Sequence, residues 1–368
     1  MADIKQLFGK KRRGSLITLG MVVVAYLVVN ALMMGGVISN SLTGQLVPIC
    51  AYIVMAVSLN LVVGVSGELS LGHAGFMSIG AFVGVTSATM LADVLPGPAR
   101  LVASLVIGGL FAALAGFLIG IPVMRLHGDY LAIVTLAFGE IIKNILNNLY
   151  VGMDAYGLHF SMKSSAALGM QGGSIIINGP QGAAGIVKLS TFLAGFLLVI
   201  FALLVVLNLV NSRSGRAIMA VRDNRIAAES VGINTTKYRL MAFVVAAALA
   251  GMAGALYAQN YSSIVPKKFD FNTSILVLVF VVLGGMGNIR GSVISATILT
   301  ILPEALRVVA DYRMLIYAVV LIVVMIASNN PFLKQKREQL RRKFRKWRGP
   351  SSGGPTPDPV AIEGGDAQ

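Results

Sequence analysis

Between residues 16 and 330 the chain repeats one pattern, a run of apolar residues closed by a short break of glycine, proline or charge. A helix of about 20 apolar residues spans the roughly 30 Å of hydrocarbon in a bilayer, and most of these runs reach that length. The pattern predicts ten spans, near 16–34, 44–65, 72–92, 100–124, 130–150, 189–211, 239–261, 273–287, 291–309 and 313–330. The expected fold class is an all-α polytopic membrane protein, a bundle of about ten transmembrane helices.

Charge orients the bundle. Basic clusters precede the first span, fill 213–239 and follow the last span at 334–348. If the N-terminus is cytoplasmic, ten crossings put all three clusters inside and leave Arg100, Lys163, Lys188, Lys267, Lys268 and Arg313 outside, the asymmetry of the positive-inside rule. Residues 1–15 then form a basic cytoplasmic N-terminus and 16–330 the membrane domain. Residues 331–368 form a cytoplasmic tail, basic at first and then Pro/Gly-rich and disordered. Within the membrane domain, 151–188 is an outside loop whose "MQGG" and "INGPQGAAGI" favour turns, and 212–238 is a cytoplasmic loop. The opening "KQLFGKKRRGSLITLG" has the basic-then-apolar order of a signal peptide, but its apolar core is long and lacks a small-x-small cleavage site, so a retained first helix is expected.

A formal charge of +15 would fit a nucleic-acid partner in a soluble chain. Here 56% of residues are hydrophobic, 12% are charged, and the basic residues sit in blocks beside apolar runs, so the charge belongs to membrane orientation and no nucleic acid is expected. The single cysteine, Cys50, excludes a disulfide framework and thiolate clusters. His73, His127 and His159 are scattered without metal-ligand spacing, and no Gly-rich loop ends in Lys-Ser or Lys-Thr. No metal, cofactor, ATP site or catalytic constellation is expected.

Small residues recur every fourth position in three spans: Gly80, Gly84, Ala88 and Ala92; Gly108, Ala112, Gly116 and Gly120; Ala242, Ala246, Ala250, Gly254 and Ala258. Lipid gives helices no hydrophobic reason to associate, so close backbone approach supplies much of the packing. These stripes read as helix contacts rather than as pore lining.

Three polar interruptions remain. "SGELSLGHAGF", residues 66–76, carries Glu68, Ser70 and His73 among three glycines. It reads either as a broken or re-entrant helix whose polar groups face inward, or as a cytoplasmic-side turn with Glu68 in water. In "FGEIIKNILNN", Glu140, Lys143 and Asn144 share a helical face, as an internal ion pair or as a solute contact. Gly284, Gly285, Gly287 and Gly291 of "LGGMGNIRGS" predict a second break or very close packing, and Glu304 with Arg307 reads as a structural pair. The stretch "AVRDNRIAAESVG" reads as a short cytoplasmic helix ended by Gly232, with Ala227 and Ala228 as a small surface, after which "INTTKYR" caps the next span. On chemistry alone it is either a docking element or only a positive-inside signal.

Four blocks, "SLNLVVGVSGELSLGHAGFMSIGAF", "GDYLAIVTLAFGEIIKNILNN", "GRAIMAVRDNRIAAESVGI" and "VVLGGMGNIRGSVISATILTILPEALR", resemble in matching order the LivM-type permease subunit of branched-chain amino acid ABC importers, across residues 58–307. The resemblance implies an ABC importer permease fold in a bacterial inner membrane. It also implies a homologous permease partner, two cytoplasmic ATP-binding subunits and an extracytoplasmic solute-binding protein. It makes 217–233 a coupling segment for the ATPase, with Arg216, Arg222, Asp223, Asn224, Ala227, Ala228, Glu229 and Gly232 as candidates. Asn60, Gly67, Glu68, Ser70, His73, Glu140, Asn144, Gly284 and Gly285 become candidates for the translocation path. The family often carries Gln where this chain has Glu68, and an acid there is open to being protonated, paired or wet. The function implied is passage of branched-chain amino acids. A urea, amide or sugar permease of similar fold is the rival within the class, and a stand-alone carrier using Glu68 or Glu140 as an ion site is the rival outside it.

Overall fold

The computed structural model describes residues 2–36, 40–126, 128–170 and 172–306, with Val319 and Ile322. Every expected span on these residues coincides with a helix. The helices are α1 (Ala2–Met34), α2 (Asn40–Asn60), α3 (His73–Met90), α4 (Gly97–Val123), α5 (Asp129–Asn147), α6 (Phe192–Asn211), α9 (Thr235–Ala258), α10 (Phe271–Gly284) and α11 (Ile289–Ala305), while α7 (Arg213–Asp223) and α8 (Arg225–Ser230) fill the loop between α6 and α9. The span expected at 313–330, the tail, Arg307 and His127 lie outside the described residues. Among the described residues, five helical segments are long and apolar enough to cross a membrane: Ser15–Met34, Leu42–Ser66, Gly97–Val123, Phe192–Asn211 and Thr235–Ala258.

The first of these is largely exposed, whereas Leu42–Ser66 is almost wholly enclosed by protein. The centre of the bundle is therefore α2, with α3, α6, α9, α10 and α11 around it and α4 packed on α3 and α9. The stripes of α3 and α4 meet each other and, on α9, Ala247, Gly251 and Ala255, one residue beyond the expected row, of which Gly254 packs on α3. A Cβ on Gly80 would lie 1.9 Å from the Gly251 carbonyl oxygen, one on Gly254 1.9 Å from that of Met77, and one on Gly251 2.3 Å from the Ala112 Cβ. Backbones of α3, α4 and α9 thus touch with nothing larger than a hydrogen or a methyl between them, the packing reading of the stripes. Ala92 ends its stripe on the surface, past the contact.

The expectation of an all-α chain is corrected between α5 and α6. There β1 (Tyr150–Asp154), β2 (Gly157–Ser161), β3 (Ser174–Asn178) and β4 (Ala183–Ala184) join β5 (Ser263–Ile264) from the α9–α10 connection in one antiparallel sheet, ordered β2-β1-β3-β4-β5. The Gly and Pro residues do make turns, but "YVGMD", "GLHFS" and "SIIIN" between them pair their backbones. Asp154 closes the β1–β2 turn by accepting from the amides of Tyr156 at 2.8 Å and Gly157 at 3.2 Å, and it pairs with His159 Nε2 at 3.0 Å. At this same end Lys268 lies over the Tyr261 ring, 4.6 Å from its centre, and partial burial lowers its pKa.

Gly254→Ala is expected to cost about 1–3 kcal/mol by overpacking, read as a lower melting temperature in detergent, whereas Gly20→Ala, which meets nothing within 4 Å, changes it little.

Candidate functional site

The polar segment after α2 begins with a helical irregularity. Leu61–Ser66 continues α2 as a π-turn, a rare geometry that recurs at functional sites, and Gly67 ends it in the left-handed region at φ 77°. The chain then runs without helix from Glu68 to Gly72 before α3 starts at His73. The His73 Nε2 lies 2.8 Å from Ser58 Oγ, and Ser58 stands two turns above Ser66 on α2. At about 1.5 Å of rise per residue, the unwound stretch has climbed roughly 12 Å back into the bundle.

Backbone amides that leave a helix need new partners where they are buried. Glu68 N–H donates to the Val62 carbonyl at 3.1 Å. The Leu71 N–H donates to Thr135 Oγ1 on α5 at 3.1 Å, and the Ala74 N–H to Ser274 Oγ on α10 at 3.1 Å. Gly72 is small because a Cβ would lie 2.0 Å from the Thr135 carbonyl oxygen.

Four other elements close on the π-turn. Asn60, fully buried, donates through Nδ2 to Ser292 Oγ and accepts from the Gly287 amide, each at 2.8 Å. These bonds hold the α10–α11 turn, where Gly285 and Gly287 take φ of 89° and 79°. Gly284 and Gly291 let the two helices touch: a Cβ on Gly291 would lie 1.7 Å from the Gly284 carbonyl oxygen. Both expectations for the glycine-rich stretch, a break and close packing, therefore hold.

Glu68 is ion-paired with Arg239 of α9, their side chains 16% and 3% exposed, so of the three states left open for this acid the structure has the paired one. The same guanidinium donates to the carbonyls of Met124 at 3.0 Å and Leu126 at 3.3 Å, which lie just past α4. Carbonyls at a helix end lack intrahelical partners and attract cations. From the loop between α6 and α9, Arg222 lays its stem on Gly67 and donates through Nη1 to the Gly64 carbonyl at 3.0 Å. Ser66, Gly67, Glu68, Gly128, Val221, Arg222, Arg225 and Arg239 enclose a polar cavity of about 150 Å³.

Asn60, Gly67, Glu68, Ser70, His73, Gly284 and Gly285 thus gather around one end of α2. Asn144 is exposed and does not join them. Glu140 pairs with Lys143 on α5, as the ion-pair reading expects, and lines a small pocket with Leu71, Gly75 and Ser274. Arg239, Thr135 and Ser274 are the partners that sequence reasoning missed. Arg239 had a signal, a charge at the mouth of an apolar span, which was counted only toward orientation.

The loop between α6 and α9 is two helices, not one. Asn224 breaks it and caps α8 by accepting from the Ala227 amide at 3.0 Å; Gly232 ends the loop at φ 82°, and Asn234 caps α9 by accepting from the Lys237 amide at 3.0 Å. Its charges are mutually engaged. Arg222 holds Asp223, Arg225 holds Glu229, which also accepts from Thr235, and Arg216 donates to the Asn211 carbonyl. Apolar side chains also face outward, among exposed charges such as Asp223 and Glu229: Ile226 is 81% exposed, Val231 74%, and Ala227 is exposed with them. Ala228, only 4% exposed, packs inward, so the small surface expected of the alanine pair is Ala227 beside Ile226.

Residues 41–327 match the family described as branched-chain amino acid transport system / permease component. The chain is 36% identical over 308 residues to the high-affinity branched-chain amino acid transport system permease protein LivM of Salmonella typhimurium, covering 81% of this chain and 71% of the relative. With LivM of Escherichia coli K12 it shares 37% over 302 residues, 79% of this chain and 70% of the relative. With the permease protein LivH of the same organism it shares 27% over 286 residues, 75% and 88% of the two chains. No solved structure matches it.

Glu68→Ala leaves the Arg239 charge buried without its carboxylate and is expected to cost about 3–5 kcal/mol in detergent melts. Glu68→Gln keeps an acceptor there and is expected to lose less than half as much.

Proposed function

The chain belongs to the branched-chain amino acid transport system / permease component family, and from that premise we propose that it is the membrane permease subunit of an ATP-driven importer of branched-chain amino acids. It forms half of the translocation path, and the other half comes from a homologous permease. The likeness to both LivM and LivH supports pairing within one family. Two cytoplasmic ATP-binding subunits move the gate, and an extracytoplasmic solute-binding protein delivers the amino acid. The chain carries no phosphate-binding loop of its own, so the energy comes from those partners.

The observation that carries this reading is the loop between α6 and α9. It stands at the end of the bundle where α2 unwinds, and several of its charges pair with one another. Outward it presents Ile226, Ala227 and Val231 among exposed charged groups such as Asp223 and Glu229. An exposed apolar set on a chain whose other large apolar surfaces face lipid is the kind of patch a partner protein covers. Residues 212–238 are accordingly the coupling segment, cytoplasmic, with both termini on the same side. The bundle has about ten crossings, and Gly67–Gly72 is its re-entrant part, held by protein at membrane depth. The pairing of Glu68 with Arg239 supports a structural acid there rather than the proton site of a stand-alone carrier. Asn144 and the exposed Tyr130, Ile133, Ile141 and Ile145 on α5 face lipid or the second permease.

A tagged chain is expected to co-purify with an ATP-binding subunit, and Ile226→Asp or Ala227→Arg to lower the amount retained at least tenfold without shifting the melting temperature of the membrane domain. Full retention by both variants, or no ATP-binding subunit with the native chain, is the contrary result.

A further inference from the structure

The Arg222 side chain, 37% exposed, reaches from the coupling segment to the π-turn. Its aliphatic stem packs on Gly67, where a Cβ would lie 2.5 Å from Arg222 Cγ. Its Nη1 reaches the Gly64 carbonyl at 3.0 Å, and its Nε and Nη2 are held by Asp223 Oδ1 at 3.0 and 2.8 Å. The carboxylate orients the guanidinium, and one side chain joins the coupling segment to the π-turn.

What it grips is equally constrained. A Cβ on Gly64 would lie 2.1 Å from the Gly287 amide nitrogen, so the α10–α11 turn sits directly on the residue whose carbonyl Arg222 holds. Asn60, four residues earlier, bonds that same turn. On the far side of Gly67, Glu68 is tied through Arg239 to the end of α4. The apolar contacts of Ile218 and Val221 beneath α7 hold the two elements together without direction. A charge-assisted hydrogen bond ties one donor to one acceptor, so it carries motion to a defined atom.

We infer that Arg222 is the positioning residue that transmits displacement of the coupling segment to the π-turn of α2, through its bond to the Gly64 carbonyl, and so moves the unwound segment and the α10–α11 turn together. The inference rests on the function proposed above and deepens it: Ile226 and Ala227 receive the motor, and Arg222 passes the stroke inward. Loss of the bond separates ATP hydrolysis from transport without releasing the ATP-binding subunits.

The test uses the whole complex, with its ATP-binding subunits and partner permease, in liposomes supplied with the solute-binding protein and radiolabelled leucine. Arg222→Met keeps the stem on Gly67 and removes the donors. The expected result is an unchanged subunit ratio, hydrolysis within twofold of the native complex, and leucine uptake per ATP lowered about tenfold. Arg222→Lys, which restores one donor but not the fork held by Asp223, recovers part of the uptake. Uptake per ATP equal to native in Arg222→Met overturns the inference, and so does a fall of hydrolysis in step with uptake. If Arg222→Met does not assemble, Arg222→Lys decides: uptake per ATP lowered threefold or more supports the inference, and native coupling overturns it. A native complex that lacks ATP-binding subunits defeats the proposed function itself, whereas a native complex that couples alongside an equally coupled Arg222→Met defeats only the role of Arg222.

Discussion

A backbone that leaves its helix inside a membrane bundle must find every hydrogen bond within the protein, since hydrocarbon offers none. In the function proposed here the stretch from Gly67 to Gly72 is under that constraint, and much of the surrounding architecture supplies it with partners. Thr135 and Ser274 are buried hydroxyls on α5 and α10 that cap Leu71 and Ala74. Arg222 takes the Gly64 carbonyl left over by the π-turn, and Arg239 both neutralises Glu68 and takes the carbonyls past α4. The polar groups that look anomalous in an apolar sequence are therefore the groups that make an unwound segment tolerable there.

The same constraint explains why two kinds of packing coexist. Where α3, α4 and α9 cross, backbones touch through glycine and alanine, an arrangement that fixes the helices at close range and leaves no side chain to rearrange. At the end of α2 the contacts are instead directional hydrogen bonds between turns, each joining elements far apart in sequence, as Asn60 joins Ser292 and Gly287. A rigid wedge beside a hydrogen-bonded hub is a division of labour suited to a gate: the first holds shape while the second can exchange partners. The family to which the chain belongs gives that hub a motor to respond to, in the function proposed here.

Helix positions and small-residue stripes were legible because periodicity and length encode them locally. The glycine-rich turn at 284–291 was legible for the same reason, and so were the ends of the coupling loop, where Gly232 and Asn234 terminate and cap as their chemistry requires. The sheet between α5 and α6 was overlooked because its strands, such as "GLHFS" and "SIIIN", are short and set among glycines that draw attention to turns. Partners across the fold were illegible in principle. Nothing near Glu68 in sequence names Arg239, and nothing in "IVTLAF" marks Thr135 as a cap, since such pairings exist only once helices have packed. Glu140 illustrates the converse, a sequence-local pair with Lys143 that was visible at i, i+3.

The central claim is that the π-turn, the unwound segment, the α10–α11 turn and the coupling segment form one mechanical unit distinct from the small-residue core. Hydrogen–deuterium exchange on the intact complex, with and without a non-hydrolysable ATP analogue, tests it most directly. The account predicts nucleotide-dependent changes in peptides covering 61–74, 213–234 and 284–292, while those covering 80–88, 108–120 and 246–258 stay constant. Changes confined to 213–234, with 61–74 and 284–292 unaltered, would contradict it.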